Sequence, residues 1–197
     1  MKSPFLALAV SLAAISLASA QTHNDTGGTI IQAVGSSVGN PTSTLTLPST
    51  TTAYSAGNLI ANSATAGSVV VPSFTIQSPG SALIPRLRLS TNDATSTAWG
   101  AVSIQVDLWS AAPTFTNGDR GAWSPATGTA SHLGAYSCTM SAEYGDGAYA
   151  ECAPAVGNVS AWKLANGTTV YWTLQAVGAS GVTGASKVFT LTAEDVQ

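Results

Sequence analysis

From Val102 to Leu108 the chain alternates without a break: Val102, Ile104, Val106 and Leu108 are interleaved with Ser103, Gln105 and Asp107. A period of two marks a half-buried antiparallel strand. Shorter apolar pieces recur between turn residues on either side. Upstream they are Asn58-Leu59-Ile60, Ser68-Val69-Val70-Val71 ahead of Pro72, and Phe74-Thr75-Ile76, followed by Leu83, Leu87 and Leu89 on one face with Arg86 and Arg88 on the other. Downstream, strands are predicted over Leu133 to Glu143, Ala148 to Cys152, Trp162 to Leu164, Thr168 to Ala176 and Val188 to Leu191. Asn166-Gly167 is a hairpin signal, and Pro113 to Pro125 reads as a long loop containing Asn117-Gly118-Asp119-Arg120-Gly121. No helical period appears beyond the first residues, and no repeat of fixed length is visible. The pattern predicts an all-β fold, an antiparallel β-sandwich or jelly-roll-like single domain over residues 53–197.

The two leading segments differ from this body. Lys2 followed by the apolar run Phe5 to Leu17 and by Ala18-Ser19-Ala20 has the three parts of a secretory leader, with cleavage expected between Ala20 and Gln21. The alternative for residues 1–20 is an apolar N-terminal arm. The run is short for a membrane span and no later stretch is long enough, so no span is expected in the mature chain. Residues 21–52 are polar and rich in Gly and Thr, with alternation only around Leu45-Thr46-Leu47, and read as a flexible arm.

Composition supports strands over helices. Only 8% of the 197 residues are charged, against about a quarter in an average soluble protein. Ser, Thr and 19 Gly take their place, a mixture suited to short strands and tight turns. The formal net charge is −3, and Arg86 and Arg88 are the only close pair among six basic residues. Nucleic-acid binding needs several clustered cations and is not expected.

Candidate chemistry is sparse. Cys138 and Cys152 flank Gly145-Asp146-Gly147, so a hairpin turning there can bring them to facing positions; in an oxidising compartment they would form a disulfide, otherwise they remain two half-buried thiols. Their spacing is not that of a zinc knuckle, and neither a metal nor a cofactor is expected. His132 has no catalytic partner motif, and nothing in the spacing of Asp107, Glu143, Asp146 and Glu151 selects an acid–base pair. Asp119 reads first as an Asx-turn residue and only weakly as a calcium ligand. No catalytic residue is assigned, and the chain is expected not to be an enzyme. Trp109 falls on the polar phase of its strand, and the adjacent Tyr171 and Trp172 must point to opposite faces. These three rings are the candidate contact aromatics, for a subunit interface or for stacking on a sugar. Asn24, Asn158 and Asn166 begin N-x-S/T sequons, relevant only in a host that glycosylates them.

Four stretches carry a resemblance. They are Thr51-Thr52-Ala53-Tyr54-Ser55-Ala56-Gly57-Asn58-Leu59-Ile60-Ala61-Asn62, Leu108-Trp109-Ser110-Ala111-Ala112-Pro113, Asn117-Gly118-Asp119-Arg120-Gly121-Ala122-Trp123, and Leu164-Ala165-Asn166-Gly167-Thr168-Thr169-Val170-Tyr171. In order and spacing the chain resembles a family of small tailed-phage and prophage virion proteins of the head-decoration kind. The family commonly has Asp where Asn58 stands, and its members begin close to the Thr-Thr-x-Tyr segment without a leader. The resemblance implies a non-enzymatic virion structural protein on the capsid surface, with a capsid lattice or further copies of itself as partners. The leader implies the alternative, a secreted or periplasmic β-sandwich that binds surface glycans or builds an extracellular assembly.

Overall fold

A computed structural model describes residues 22–24, 30–32, 38–49, 52–77, 81–92, 99, 102–143, 147–159, 161–164, 167–178 and 187–196. The chain divides into two compact units, 1–35 and 36–197. In the first, β1 (Thr22–Asn24) and β2 (Ile30–Gln32) form an antiparallel hairpin.

In the second unit every strand pairing among the described residues is antiparallel, as the alternation predicts. Its strands are β3 (Val38–Gly39), β4 (Thr42–Thr46), β5 (Leu59–Ile60), β6 (Ser73–Thr75), β7 (Ser81–Leu83), β8 (Leu87–Thr91), β9 (Ser103–Trp109), β10 (His132–Thr139), β11 (Ser141–Glu143), β12 (Gly147–Pro154), β13 (Ala161–Lys163), β14 (Thr169–Ala176), β15 (Val188–Ala193) and β16 (Asp195–Val196). Two single 3-10 turns, at Ala66–Ser68 and Thr129–Ser131, are the only helical elements among the described residues, and none of those residues forms a helix long and apolar enough to cross a membrane.

The main sheet runs β4-β15-β8-β12-β10-β9-β14-β5, with β11 added to β12 and β6 added to β14. It folds over a single core as two halves, β4-β15-β8-β12 and β10-β9-β14. The inward positions of both halves, among them Leu89, Phe189 and Leu191 on one and Ile104, Leu108 and Trp172 on the other, belong to one buried cluster. Burial of that apolar area is the main stabilising term. Trp99 packs edge-on against Phe189, with ring centroids 4.9 Å apart, and Tyr136 donates its hydroxyl hydrogen to the Ile84 carbonyl beneath the sheet. A smaller sheet, β13-β7-β16-β3, completes the unit.

The halves join at a corner. β10 pairs with β9 along its length, Cys138 opposite Ile104, while β12 pairs with β8, Cys152 opposite Leu87. Between β10 and β12 only Tyr136↔Pro154 and Ser137↔Ala153 are paired; the ladder then opens and resumes at Ser141↔Tyr149 in β11. Cys138 and Cys152 stand where it opens, disulfide-bonded with their Cα atoms 4.4 Å apart.

Several expectations shift. β4 lies inside the stretch read as a flexible arm, and it buries Leu45, with Leu47 just beyond, against β15. Ser68 to Val71 is not a strand: the Val70 N–H is taken by the Asn62 side chain at 2.9 Å, and Pro72 offers no N–H to a ladder. Leu83 leaves the face shared by Leu87 and Leu89 because Pro85 breaks the run, and it lies 40% exposed in the smaller sheet.

Candidate functional site

The loop of residues 110–131 lies against the outer face of β9 and β14, and the chain's unusual polar chemistry collects beneath it. Gln105, Asp107 and Trp109 alternate outward on β9; Thr173 faces Asp107 from β14. Trp109 does point to the outer face, as its phase predicts. It is nevertheless only 1% exposed. Its indole N–H donates to Thr173 Oγ1 at 3.0 Å, its ring meets His132 edge-on at 4.7 Å, and Trp123 packs at 6.2 Å. Asp107 is likewise buried. Its Oδ1 lies 2.9 Å from His132 Nε2, and the Gln105 side-chain amide donates to both its oxygens at 3.0–3.1 Å. A buried carboxylate is costly unless paired and hydrogen-bonded, and this one has both partners.

The same loop is latched to β5 further along. Asp119 Oδ1 accepts the Tyr54 hydroxyl at 2.8 Å and the Ala61 N–H at 2.9 Å. Its Oδ2 makes no aligned hydrogen bond but has Arg120 Nη2 at 3.2 Å, a Coulombic contact. Burial pushes the Asp119 carboxyl above its ordinary pKa, opposed by the Ala61 N–H, the Tyr54 hydroxyl and the Arg120 charge. Burial, then the Asp119 charge, raises the Tyr54 hydroxyl also. Arg120 adopts φ +63°, the left-handed region that costs a side-chain-bearing residue. That turn lets its backbone N–H reach Leu59 O while Gly121 O accepts the Leu59 N–H, both at 2.8 Å. Gly118 is required beside it: a Cβ there would lie 2.1 Å from the Ala64 carbonyl oxygen.

The candidate residues therefore separate. Cys138 and Cys152 are joined. Of the three candidate contact rings, Trp109 and Trp172 are buried, at 1% and 0% exposed, and only Tyr171 keeps a partly open surface. The two are buried for different reasons: Trp172 is the member of the Tyr171-Trp172 pair that faces the core, whereas Trp109 faces outward and is covered by the loop, because alternation gives a side chain's direction and says nothing of what packs over it. Ala20 and Gln21 lie outside the described residues. Asp119 serves the latch, and no group of three His, Cys, Asp or Glu suited to a metal occurs among the described residues. Asp146 also lies outside them, and Glu151 is exposed across from Arg88. The Asp107–His132 and Tyr54–Asp119 pairs went unpredicted. The available signal was the short polar-aromatic stretches themselves, which meet two by two: Tyr54, Leu59 and Ala61 against Asp119 to Gly121, and Leu108-Trp109 against Tyr171-Trp172.

A second cluster occupies the outer face of the other half. Arg86, Arg88, Glu151, Thr192 and Glu194 line a groove with Val38 and Asn40. Arg86 Nε pairs with Glu194 Oε2 at 2.6 Å, which raises the Arg86 pKa, and the Arg88 guanidinium sits 4.9 Å from the Tyr149 ring centroid. Both arginines are exposed, so these contacts contribute little to stability. Acid and base alternate across the strands there, a surface suited to contacts of both signs. Comparison with protein-family models, curated proteins and solved structures finds no match in any of the three.

Proposed function

We propose that this chain is a non-enzymatic virion structural protein of the capsid-decoration kind, acting through contacts with a capsid lattice or with copies of itself. The observation carrying this reading is the pairwise meeting of the four stretches that resemble phage head proteins. Their polar and aromatic residues latch a loop onto a β body, which gives a rigid surface for docking. Such a module works by shape and contact, and symmetric assembly needs only a repeated patch. The direct test is mass spectrometry of density-banded phage particles. Abundant peptides in the particle band support the reading. Absence from particles, with the protein recovered outside the cytoplasm starting at Gln21, overturns it.

One observation favours a second reading. The buried Cys138–Cys152 disulfide suits an oxidising compartment, as does the leader-like N-terminus. An exported β-sandwich that binds glycans or builds an extracellular assembly has both. With Trp109 and Trp172 covered, Tyr171 is the one candidate ring left for a sugar; a loss of glycan affinity on Tyr171→Ala supports this second reading, and unchanged affinity removes that ring from it.

A further inference from the structure

The smaller sheet turns one side inward and the other to water. In β16, which lies between β7 and β3, Asp195 is fully buried and its Oδ2 accepts the Gln77 N–H at 2.7 Å. The next residue along a strand points the opposite way. Val196 pairs with Val38 on one side and with Leu83 on the other, and Leu83 pairs in turn with Ala161. Directly paired residues of antiparallel strands share a face. Ala161, Leu83, Val196 and Val38 therefore form one apolar row across four strands, roughly 14 Å long at the usual strand spacing. Val38 is 57% exposed and Leu83 40%; Ala161 is exposed and Val196 half-buried.

A contiguous apolar row on the surface marks a contact site in a way that single exposed residues do not. The charge beside it selects what it meets. Val38 also lines the groove of about 330 Å³ that holds Arg86, Arg88, Glu151 and Glu194. The registers order these four charges. Arg88 on β8 stands opposite Glu151 of β12. Two residues away Arg86 meets Glu194, which follows β15 on the other side of β8. Across the sheet the signs run acid, base, base, acid, and they cancel. Two glutamates repel an acidic partner, and two arginines repel a basic one. A half-turn about an axis between Arg86 and Glu194 sets the Arg86 of each copy against the Glu194 of the other. The groove is thus complementary to itself.

We propose that the charged groove and the apolar row beside it are the contact through which two copies of this chain pair about a two-fold axis. The axis passes between Arg86 and Glu194 and on over Val38, so that Val38 meets Val38 of the second copy and the contact extends into the apolar row. In such an isologous interface every unlike contact occurs twice. Arg86, its side chain 68% exposed, already holds Glu194 Oε2 at 2.6 Å. A guanidinium has five N–H donors, enough to serve its own glutamate and that of the second copy. An apolar centre beside a charged rim is the ordinary anatomy of a protein contact. The inference rests on the reading of a module that works through protein contacts and names a second copy as one partner, whether or not a capsid is another.

Sedimentation velocity on the full chain tests it. The weight-average mass is expected to rise from one copy toward two with concentration, and pairing to weaken about fivefold between about 0.05 M and 0.5 M salt. Arg86→Glu sets four acids around the axis and is expected to leave a monomer. Glu194→Arg sets four bases there and does the same. Mixed in equal amounts, the two variants are expected to pair again, since each now meets the opposite sign; recovery in the mixture also shows that neither failed by unfolding. Val38→Ser, present twice in the dimer, weakens pairing about tenfold. A chain that stays a single copy at millimolar concentration overturns the proposal. So does a mixture of the two charge variants that remains monomeric, and so does a dimer that Arg86→Glu and Val38→Ser leave intact. A dimer with the expected charge-variant behaviour and no protein in phage particles keeps the interface and removes the virion reading. Protein in particles with a monomer in solution keeps the virion reading and removes the interface.

Discussion

The two halves of the sandwich meet twice, and the meetings are built on different terms. At the corner between β10 and β12 two residue pairs and a buried disulfide hold the strands where the ladder opens. At the seam between β4 and β6 there is, among the described residues, contact without pairing and an exposed valine. The corner is covalent and paired; the seam is contact alone. On the seam side, however, β5 is fastened by the Asp119–Arg120 loop.

The largest expected effect comes from cutting the fastening beside the seam. Asp119→Ala leaves the Arg120 guanidinium, the Tyr54 hydroxyl and the Ala61 N–H without their carboxylate, and breaking a buried pair from one side costs about 3–5 kcal/mol. Urea denaturation measures it; a loss under about 1 kcal/mol would mean the latch carries little of the fold's stability. Next is the corner. Replacing Cys138 and Cys152 together by alanine removes a bridge over a sequence separation of 14, a loss of about 3 kcal/mol by the loop-entropy account. The wild-type protein with reductant should lose a similar amount, and the double variant should ignore reductant.

A smaller effect follows pH. Asp119 is held above its ordinary pKa in the fold, so its neutral form is favoured there. Its contribution is full below the pKa of the unfolded carboxyl and is lost as pH rises through the folded one. Asp119→Asn should therefore gain on wild type in urea midpoint as pH rises above the unfolded carboxyl's pKa of about 3.9. A constant difference with rising pH would show that burial does not govern this carboxyl. The smallest expected change is at the seam itself: Val70→Asp should leave stability within about 0.5 kcal/mol, because the side chain is already in water. A larger loss would mean Val70 packs in solution.

The strongest alternation predicted its element closely. Val102 to Leu108 is β9 to within a residue at either end, because each of its apolar residues has a polar neighbour that must face the other way. The cysteine pairing was legible as one of two outcomes, from two positions equidistant from a turn, and the structure joins them. What could not be read was whatever depends on a distant segment. Trp109 is covered by residues that follow it in a loop, and β4 is a strand only because β15, far along the chain, offers it an edge. The Tyr54–Asp119 latch joins residues 65 apart in sequence, and neither alone suggests the other. Ser68 to Val71 has strand composition, but a side-chain amide claims its backbone first.

The pairing of β4 with β15 also sets an order of events during synthesis. Thr46 leaves the ribosome long before its partner Val188. With roughly 140 residues between them and translation at about 5–20 residues per second, β4 waits on the order of ten to thirty seconds for that partner. The wall of the seam is thus among the last parts of the main sheet to be completed, whereas the two cysteines, separated by 14 positions, emerge almost together. A nascent chain can close its corner early and must leave its seam until the end.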